Sequence, residues 1–182
     1  MNNRSLPDIY TPRSVLRWYR ARVTDAPEMS LQGLRAYRSA IEAIETDRAA
    51  LIQAFGGYVG PSPEADPYPD NASMLDAAAK ARRHRSPFLV SDVCHGHPLW
   101  NDASNWAFRA HHDACHVLSG AEAFSYRGEL GTYLYTCGRL SVAWDSPVGL
   151  VLLAEILGQA AWFETFGSFP TADGQQLVAD VV

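Results

Sequence analysis

Helical periodicity constrains the fold of this chain more than any other feature of its sequence. Apolar residues recur at helical spacing from Ser30 to Phe55, and Gly56-Gly57 then end the segment. Comparable patterns, bounded by helix-starting and helix-ending residues, predict further helices over 12–23, 71–84, 105–118, 128–140 and 148–166. Strand-like alternation is scarce, so we predict an all-α fold.

The length and the proline-rich segments predict how the helices are organised. A chain of 182 residues fits one domain, because domains usually have about 100–200 residues. Residues 57–70 are predicted to be a loop, since their prolines exclude a helix or a central strand. Residues 86–104 are predicted to be irregular, and 173–182 to form a short terminal helix. We expect a single-domain helical bundle, with an N-terminal scaffold over 1–85 and the motifs in 86–182.

Charge, cysteines and hydropathy exclude several classes of protein. The formal charge of -5 provides no general basic field for nucleic acid or an anionic membrane. Three cysteines are too few for a disulfide framework, which favours a reducing compartment. The N-terminus lacks the continuous apolar run of a secretory signal. The longest apolar stretch, Val148 to Phe163, is shorter than the roughly 20 residues of a membrane span. We therefore expect a cytoplasmic protein.

Residues that can bind a metal are concentrated between Cys94 and His116. This segment contains most of the histidines and two of the three cysteines. His112 and His116 are four residues apart on a predicted helix, so both imidazoles share one face and can reach one ion. The same spacing also occurs by chance or among buried structural histidines.

Asp113 directly follows the first of these histidines and has two open roles. Residues 112–116 read HDxxH, which differs from the HExxH helix of zinc peptidases by one methylene. In that arrangement the acid beside the first ligand activates a metal-bound water. Alternatively, Asp113 accepts a hydrogen bond from a ligand imidazole and orients it.

Two histidines leave an ion under-coordinated, and Glu155 is the best candidate for the third ligand. It lies in an apolar run where an unpaired carboxylate is costly, and Gln159 follows four residues later on the same face. A structural alternative pairs Glu155 with Arg109 or Arg139. Glu129 is the fourth candidate ligand, although it opens a helix, where the dipole favours a carboxylate without any metal.

The neighbouring cysteines and His97 have other predicted roles. The Cys94-His95-Gly96-His97 segment lacks the second ligand pair that a structural zinc requires. His97, which precedes Pro98, is predicted to fix the loop that enters the site. Cys115 is expected to be a buried packing residue, and no base close in sequence to Cys137 supports a nucleophilic role.

Three motifs occur in order along the C-terminal half: FRxxHDxxH at 108–116, Gly128-Glu129, and ExxGQxxW at 155–162. This combination resembles a family of uncharacterised proteins encoded by bacteriophages and related mobile elements. The likeness covers His97 to the C-terminus, including Phe169-Pro170. It implies the host cell cytoplasm and a polar role for Gln159, but no substrate. It also implies a shared metal-like site at His112, His116, Glu129 and Glu155.

We interpret the cluster as the centre of a metal-dependent enzyme. In a hydrolase, a zinc or iron ion lowers the pKa of bound water toward ~7, and Asp113 or Glu129 takes its proton. One alternative is a non-haem oxidase or oxygenase with one or two irons, since two histidines and a carboxylate also hold iron. Another is a non-enzymatic phage protein with a structural metal clamp. The sequence leaves open whether the substrate is small or polymeric, and the oligomeric state.

Overall fold

The fold is mostly helical, as the periodicity predicts. The computed structural model describes residues 10–24, 29–93, 97–123, 125–168 and 177–178. Its helices are α1 (Pro12–Arg20), α2 (Leu31–Phe55), α3 (Asn71–His84), α4 (Asp102–Ser119), α5 (Tyr126–Arg139), α6 (Pro147–Leu152) and α7 (Gln159–Phe166). A π-helical segment, Leu153–Gly158, joins α6 to α7. The strands are β1 (Val23–Thr24), β2 (Tyr58–Ser62), β3 (Pro87–Ser91) and β4 (Leu177–Val178).

Capping residues set the helix boundaries. Ser30 accepts a hydrogen bond from the first turn of α2, and Gly56 ends that helix in the left-handed conformation, so the predicted bounds of α2 are confirmed. The cap of α3 is Asp70, one residue before the predicted Asn71. Asn71 instead accepts a hydrogen bond from the backbone N–H of Ala123, which ties α3 to the α4–α5 loop.

Two segments predicted to be irregular contain paired strands. β2 and β3 pair in parallel, with α3 as the crossover between them. The prediction that 57–70 forms only a loop is therefore wrong for Tyr58–Ser62, and the irregular segment over 86–104 contains β3. Pro61 is tolerated because both strands of a two-stranded sheet are edge strands, whose N–H groups can face away from the partner.

The C-terminal segment also differs from its prediction where the structure describes it. Leu177–Val178 pair antiparallel with Val23–Thr24, so the terminal helix predicted over 173–182 is wrong at these two residues. The rest of that segment lies outside the described residues. So do Cys94, His95 and Gly96, and Phe169-Pro170 of the motif resemblance.

α4 lies between two apolar clusters and carries the metal-capable face. One cluster includes Tyr37, Tyr133 and Leu157 and joins α1, α2, α5 and the segment from α6 to α7. The other includes Phe55 and Phe88 and lies among α2, α3, β3 and α4. Because α4 packs against both α2 and α5, side chains on its two flanks face different partners.

The helix from Pro147 to Phe166 is a core helix. Within the described part of the chain it is the one helix long and apolar enough to cross a membrane. Its 20 residues exceed the stretch measured on the sequence, but Leu152, Leu157 and Ala161 are fully buried inside the protein. A Cβ atom at Gly158 would overlap the ring of Tyr19, so α1 packs unusually close to this helix.

Candidate metal centre

Three side chains that can bind a metal converge between α4 and α5. The Nε2 atoms of His112 and His116 lie 3.2 Å apart, and Glu129 Oε1 lies 3.2 Å from Nε2 of His116. Glu129 Oε2 lies 3.3 Å from Nε2 of His112. Ligand atoms about 2.0–2.1 Å from a tetrahedral zinc ion are separated by about 3.3–3.4 Å. The three side chains are therefore spaced as they would be around one ion.

Local structure explains this convergence. His112 and His116 are one turn apart on α4, and Glu129 lies in the first turn of α5. Ser125 caps α5 by accepting the N–H of Gly128. A Cβ atom at Gly128 would overlap the carbonyl oxygen of Glu122, so only glycine allows α5 to begin this close to the preceding loop.

The cluster is enclosed on the His116 side and reachable on the other. The side chain of His116 is 3% exposed, whereas His112 and Glu129 are 20% and 17% exposed. Burial acts to lower the pKa of His112, but the carboxylates of Glu129 and Asp113 together outweigh it and raise that pKa. Burial likewise acts to raise the pKa of Glu129, but the two imidazoles hold it well below its usual range.

Thr132 orients His116, and sequence reasoning missed it. Its hydroxyl lies 2.8 Å from Nδ1 of His116, and both residues are buried. When Nε2 binds a metal, the proton resides on Nδ1, and the hydroxyl of Thr132 accepts it in a hydrogen bond. The position of Thr132, three residues after Glu129 on α5, was the available signal.

Asp113 lies beside the cluster without a partner of its own. Among the described residues it makes no hydrogen bond or ion pair, and its side chain is half-buried. Burial raises the pKa of this carboxyl, although the two imidazoles and Arg109 oppose that effect. Neither imidazole donates to Asp113 in this structure, because Thr132 occupies Nδ1 of His116 and Nδ1 of His112 has no partner.

Glu155 and Gln159 belong to a separate buried cluster. Glu155 Oε1 accepts a hydrogen bond from Tyr37 (2.9 Å), and Oε2 accepts one from Gln159 (3.0 Å). Glu155 is not in the group of ligand atoms that lie within 4.8 Å of one another. The structure thus brings together His112, His116 and Glu129, but not Glu155. Glu155 lies in the π segment, an irregularity that is frequent at functional sites.

His97 fixes its loop as predicted. Its Nδ1 accepts hydrogen bonds from the backbone N–H groups of Leu99 and Trp100. The proton of the neutral ring is therefore on Nε2, which faces Glu155 Oε1 at 3.7 Å, too far for a hydrogen bond. The ring stacks on Trp100 with centroids 4.1 Å apart.

His111 is turned away from the metal-capable face. Nε2 of His111 lies 3.1 Å from Asp47, which also forms a two-point ion pair with Arg139. Burial lowers the pKa of His111 to about 4 and raises the pKa of Cys115 to about 12. Cys115 is completely buried, as expected for a packing residue. The predicted alternative of an Arg139–Glu155 pair is not formed.

The comparisons with known proteins add no relative. The chain matches no family model, no curated protein and no solved structure. Its function therefore has to be inferred from the chemistry of the site, since a fold alone does not define an activity.

Proposed function

We propose that this protein is a metal-dependent hydrolase whose divalent ion is held by His112, His116 and Glu129. The observation that carries the proposal is that the two Nε2 atoms lie 3.2 Å apart and that each of them lies 3.2–3.3 Å from an oxygen of Glu129. Two neutral imidazoles and one carboxylate form the ligand set of many catalytic zinc sites. Glu129 takes the place that the sequence assigned to Glu155, whose oxygens are hydrogen-bonded elsewhere.

The number of ligands favours catalysis over a structural clamp. Structural zinc sites have four protein ligands, whereas catalytic sites have three and keep one position for water. Within the described residues no fourth histidine, cysteine or carboxylate joins the group. The exposed edges of His112 and Glu129 give water and substrate access to that position.

Asp113 is the residue we assign as general base. Its half-buried carboxylate is committed to no other described group, and it neighbours a ligand on the same helix. Glu129 is less suited to that role, because both of its oxygens lie against imidazole nitrogens. A general base must be able to accept a proton from a water on the ion, and a carboxylate that holds no other described group would be available for that role.

The same ligand set suits non-haem iron, so the identity of the metal distinguishes the two enzyme classes. One equivalent of zinc supports a hydrolase. Iron with an oxygen-sensitive absorption band supports an oxidase or oxygenase instead. We place the protein in the cytoplasm, because the described cysteines, Cys115 and Cys137, are buried thiols and the most apolar described helix packs inside the core.

Metal analysis of matched variants tests the proposal. Protein stripped with a chelator and titrated with Zn²⁺ or Fe²⁺ should bind one equivalent, and His112→Ala, His116→Ala and Glu129→Gln should bind none. His84→Ala, which changes an exposed histidine at the end of α3, should behave as wild type. Unchanged stoichiometry in the two ligand-histidine variants would exclude this site.

The Asp113→Asn variant tests whether Asp113 is a general base or a residue that orients a metal ligand. We expect metal affinity close to wild type and at least about 100-fold slower hydrolysis of activated esters or phosphate esters. A fall in metal affinity of about 10–100-fold would instead show that Asp113 orients a ligand imidazole.

A further inference from the structure

Arg109 forms no ion pair with a carboxylate among the described residues, although its charge acts on Asp113, four residues later on α4. It lies on α4 with its side chain half-buried, and its Nη1 donates to the carbonyl oxygen of Val93 at 3.0 Å. None of the ion pairs among the described residues includes it. The other N–H groups of its guanidinium have no hydrogen-bond partner among the described residues.

Arg139, in contrast to Arg109, is paired with a carboxylate. Arg139 is held at two points by Asp47, which is the usual arrangement for a partly buried arginine. Removing a charge from water without a partner is costly, so proteins rarely leave a guanidinium in this condition. The remaining donors of Arg109 are therefore used by no described residue and can take an anion.

The position of Arg109 directs that anion to the proposed metal centre. Arg109 precedes His112 by three residues and His116 by seven, so all three lie on one face of α4. Three residues, or a rise of about 4.5 Å along the helix axis, separate Arg109 from His112. An anion held by the guanidinium would therefore lie on the same face of α4 as the two histidines.

We propose that Arg109 is the anion-binding residue of this site and that the substrate is a phosphate ester. This inference rests on the proposed metal centre. A phosphoryl group offers oxygens to the ion and to the planar guanidinium fork at the same time. A neutral ester or peptide carries no charge in its ground state for the guanidinium to bind, so Arg109 would act only on the developing oxyanion. Phosphoryl transfer, in contrast, is accelerated by cations that neutralise the oxygens of the transferred group.

The reaction balances with residues already assigned. Water adds its oxygen to phosphorus, and the bond between phosphorus and the ester oxygen breaks. Asp113 accepts a proton from the water, and the departing alkoxide takes a proton from solvent, which gives inorganic phosphate and an alcohol. Arg109 remains charged throughout and binds the phosphoryl oxygens.

Phosphate binding to the metal-loaded protein tests this inference. Inorganic phosphate is titrated calorimetrically into wild type, Arg109→Gln and Arg109→Lys, and zinc affinity is measured for each protein. We expect zinc affinity within about threefold of wild type in both variants, because Arg109 is not a ligand. Phosphate affinity should fall about 10–100-fold in Arg109→Gln and less in Arg109→Lys, which keeps the charge but not the fork. Arg13→Gln, an exposed change on α1, is the matched control.

The outcomes separate this inference from the proposed function. If wild type binds no metal, the proposed function fails. If wild type binds zinc but Arg109→Gln binds phosphate as tightly as wild type does, only the role of Arg109 fails. Equal dependence on Arg109 for acetate and phosphate binding would overturn the phosphoryl assignment. A larger rate acceleration over the uncatalysed reaction for 4-nitrophenyl acetate than for 4-nitrophenyl phosphate would also overturn it.

Discussion

Replacing Thr132 with valine removes one hydroxyl from the environment of the metal ligands and leaves the shape of the side chain nearly unchanged. The hydroxyl lies 2.8 Å from Nδ1 of His116. Thr132 is 0% exposed and His116 is 2% exposed, so no water can take the place of the lost partner. The variant therefore tests whether this hydrogen bond prepares His116 for a metal ion.

The expected loss follows from the state of the imidazole. With a metal on Nε2, the Nδ1–H of His116 must donate, and in Thr132→Val it would be buried without an acceptor. An unsatisfied buried donor costs about 1–3 kcal/mol. Changes to such outer partners typically lower metal affinity by about 10–100-fold, which corresponds to about 1.4–2.7 kcal/mol. We expect zinc affinity to fall within that range.

Competition titration against a chromophoric zinc chelator at fixed pH measures the effect. Circular dichroism of the metal-free protein establishes that Thr132→Val is folded. Thr132→Ser is the matched control, because it keeps the hydroxyl and loses only a methyl group. Its zinc affinity should stay within about threefold of wild type. A folded Thr132→Val protein that binds zinc within twofold of wild type would refute the role assigned to Thr132.

Two further predictions concern the core beside the site. Glu155→Gln should lower the free energy of unfolding by about 1–3 kcal/mol, because a buried, doubly hydrogen-bonded carboxylate is lost, while zinc affinity stays at the wild-type value. Denaturant titration measures this free energy, with Glu164→Gln, an exposed change on α7, as the matched control. Weakened zinc binding in Glu155→Gln would instead show that Glu155 is a metal ligand. Gly158→Ala should destabilise the protein by about 1–3 kcal/mol through its clash with Tyr19. Gly138→Ala, where no described atom lies within 4 Å of the new Cβ, should instead stabilise α5 by up to about 1 kcal/mol, and equal effects would contradict the packing argument.

Local rules were sufficient for the bounds of α2. Apolar spacing, Ser30 and Gly56 predicted α2 because capping and helical burial depend on residues within a few positions of one another. The same rules misjudged β2. Whether a proline is tolerated in a strand depends on which edge of the strand is paired, and that pairing joins residues about 30 apart in sequence.

Part of the candidate site could likewise be predicted from local sequence, and part of it could not. His112 and His116 could be paired from the sequence because the helical repeat fixes which residues share a face. The choice between Glu129 and Glu155 could not be made, since both were acidic residues on later helices and no local signal gives the distance between helices. Tertiary packing decides it: Gly128 lets α5 start close to the preceding loop, which brings Glu129 to the histidines.

The sequence by itself therefore determined the helical class, the bounds of α2 and the pair of histidines on one face of α4, because each depends on the periodicity of a single segment. Only the tertiary structure decided that Glu129 meets that pair, that Thr132 supports His116 and that Arg109 is left without a carboxylate partner in the described chain. Those three relations depend on which helices pack together and at what distance, and that is fixed by burial of the whole core rather than by any local pattern.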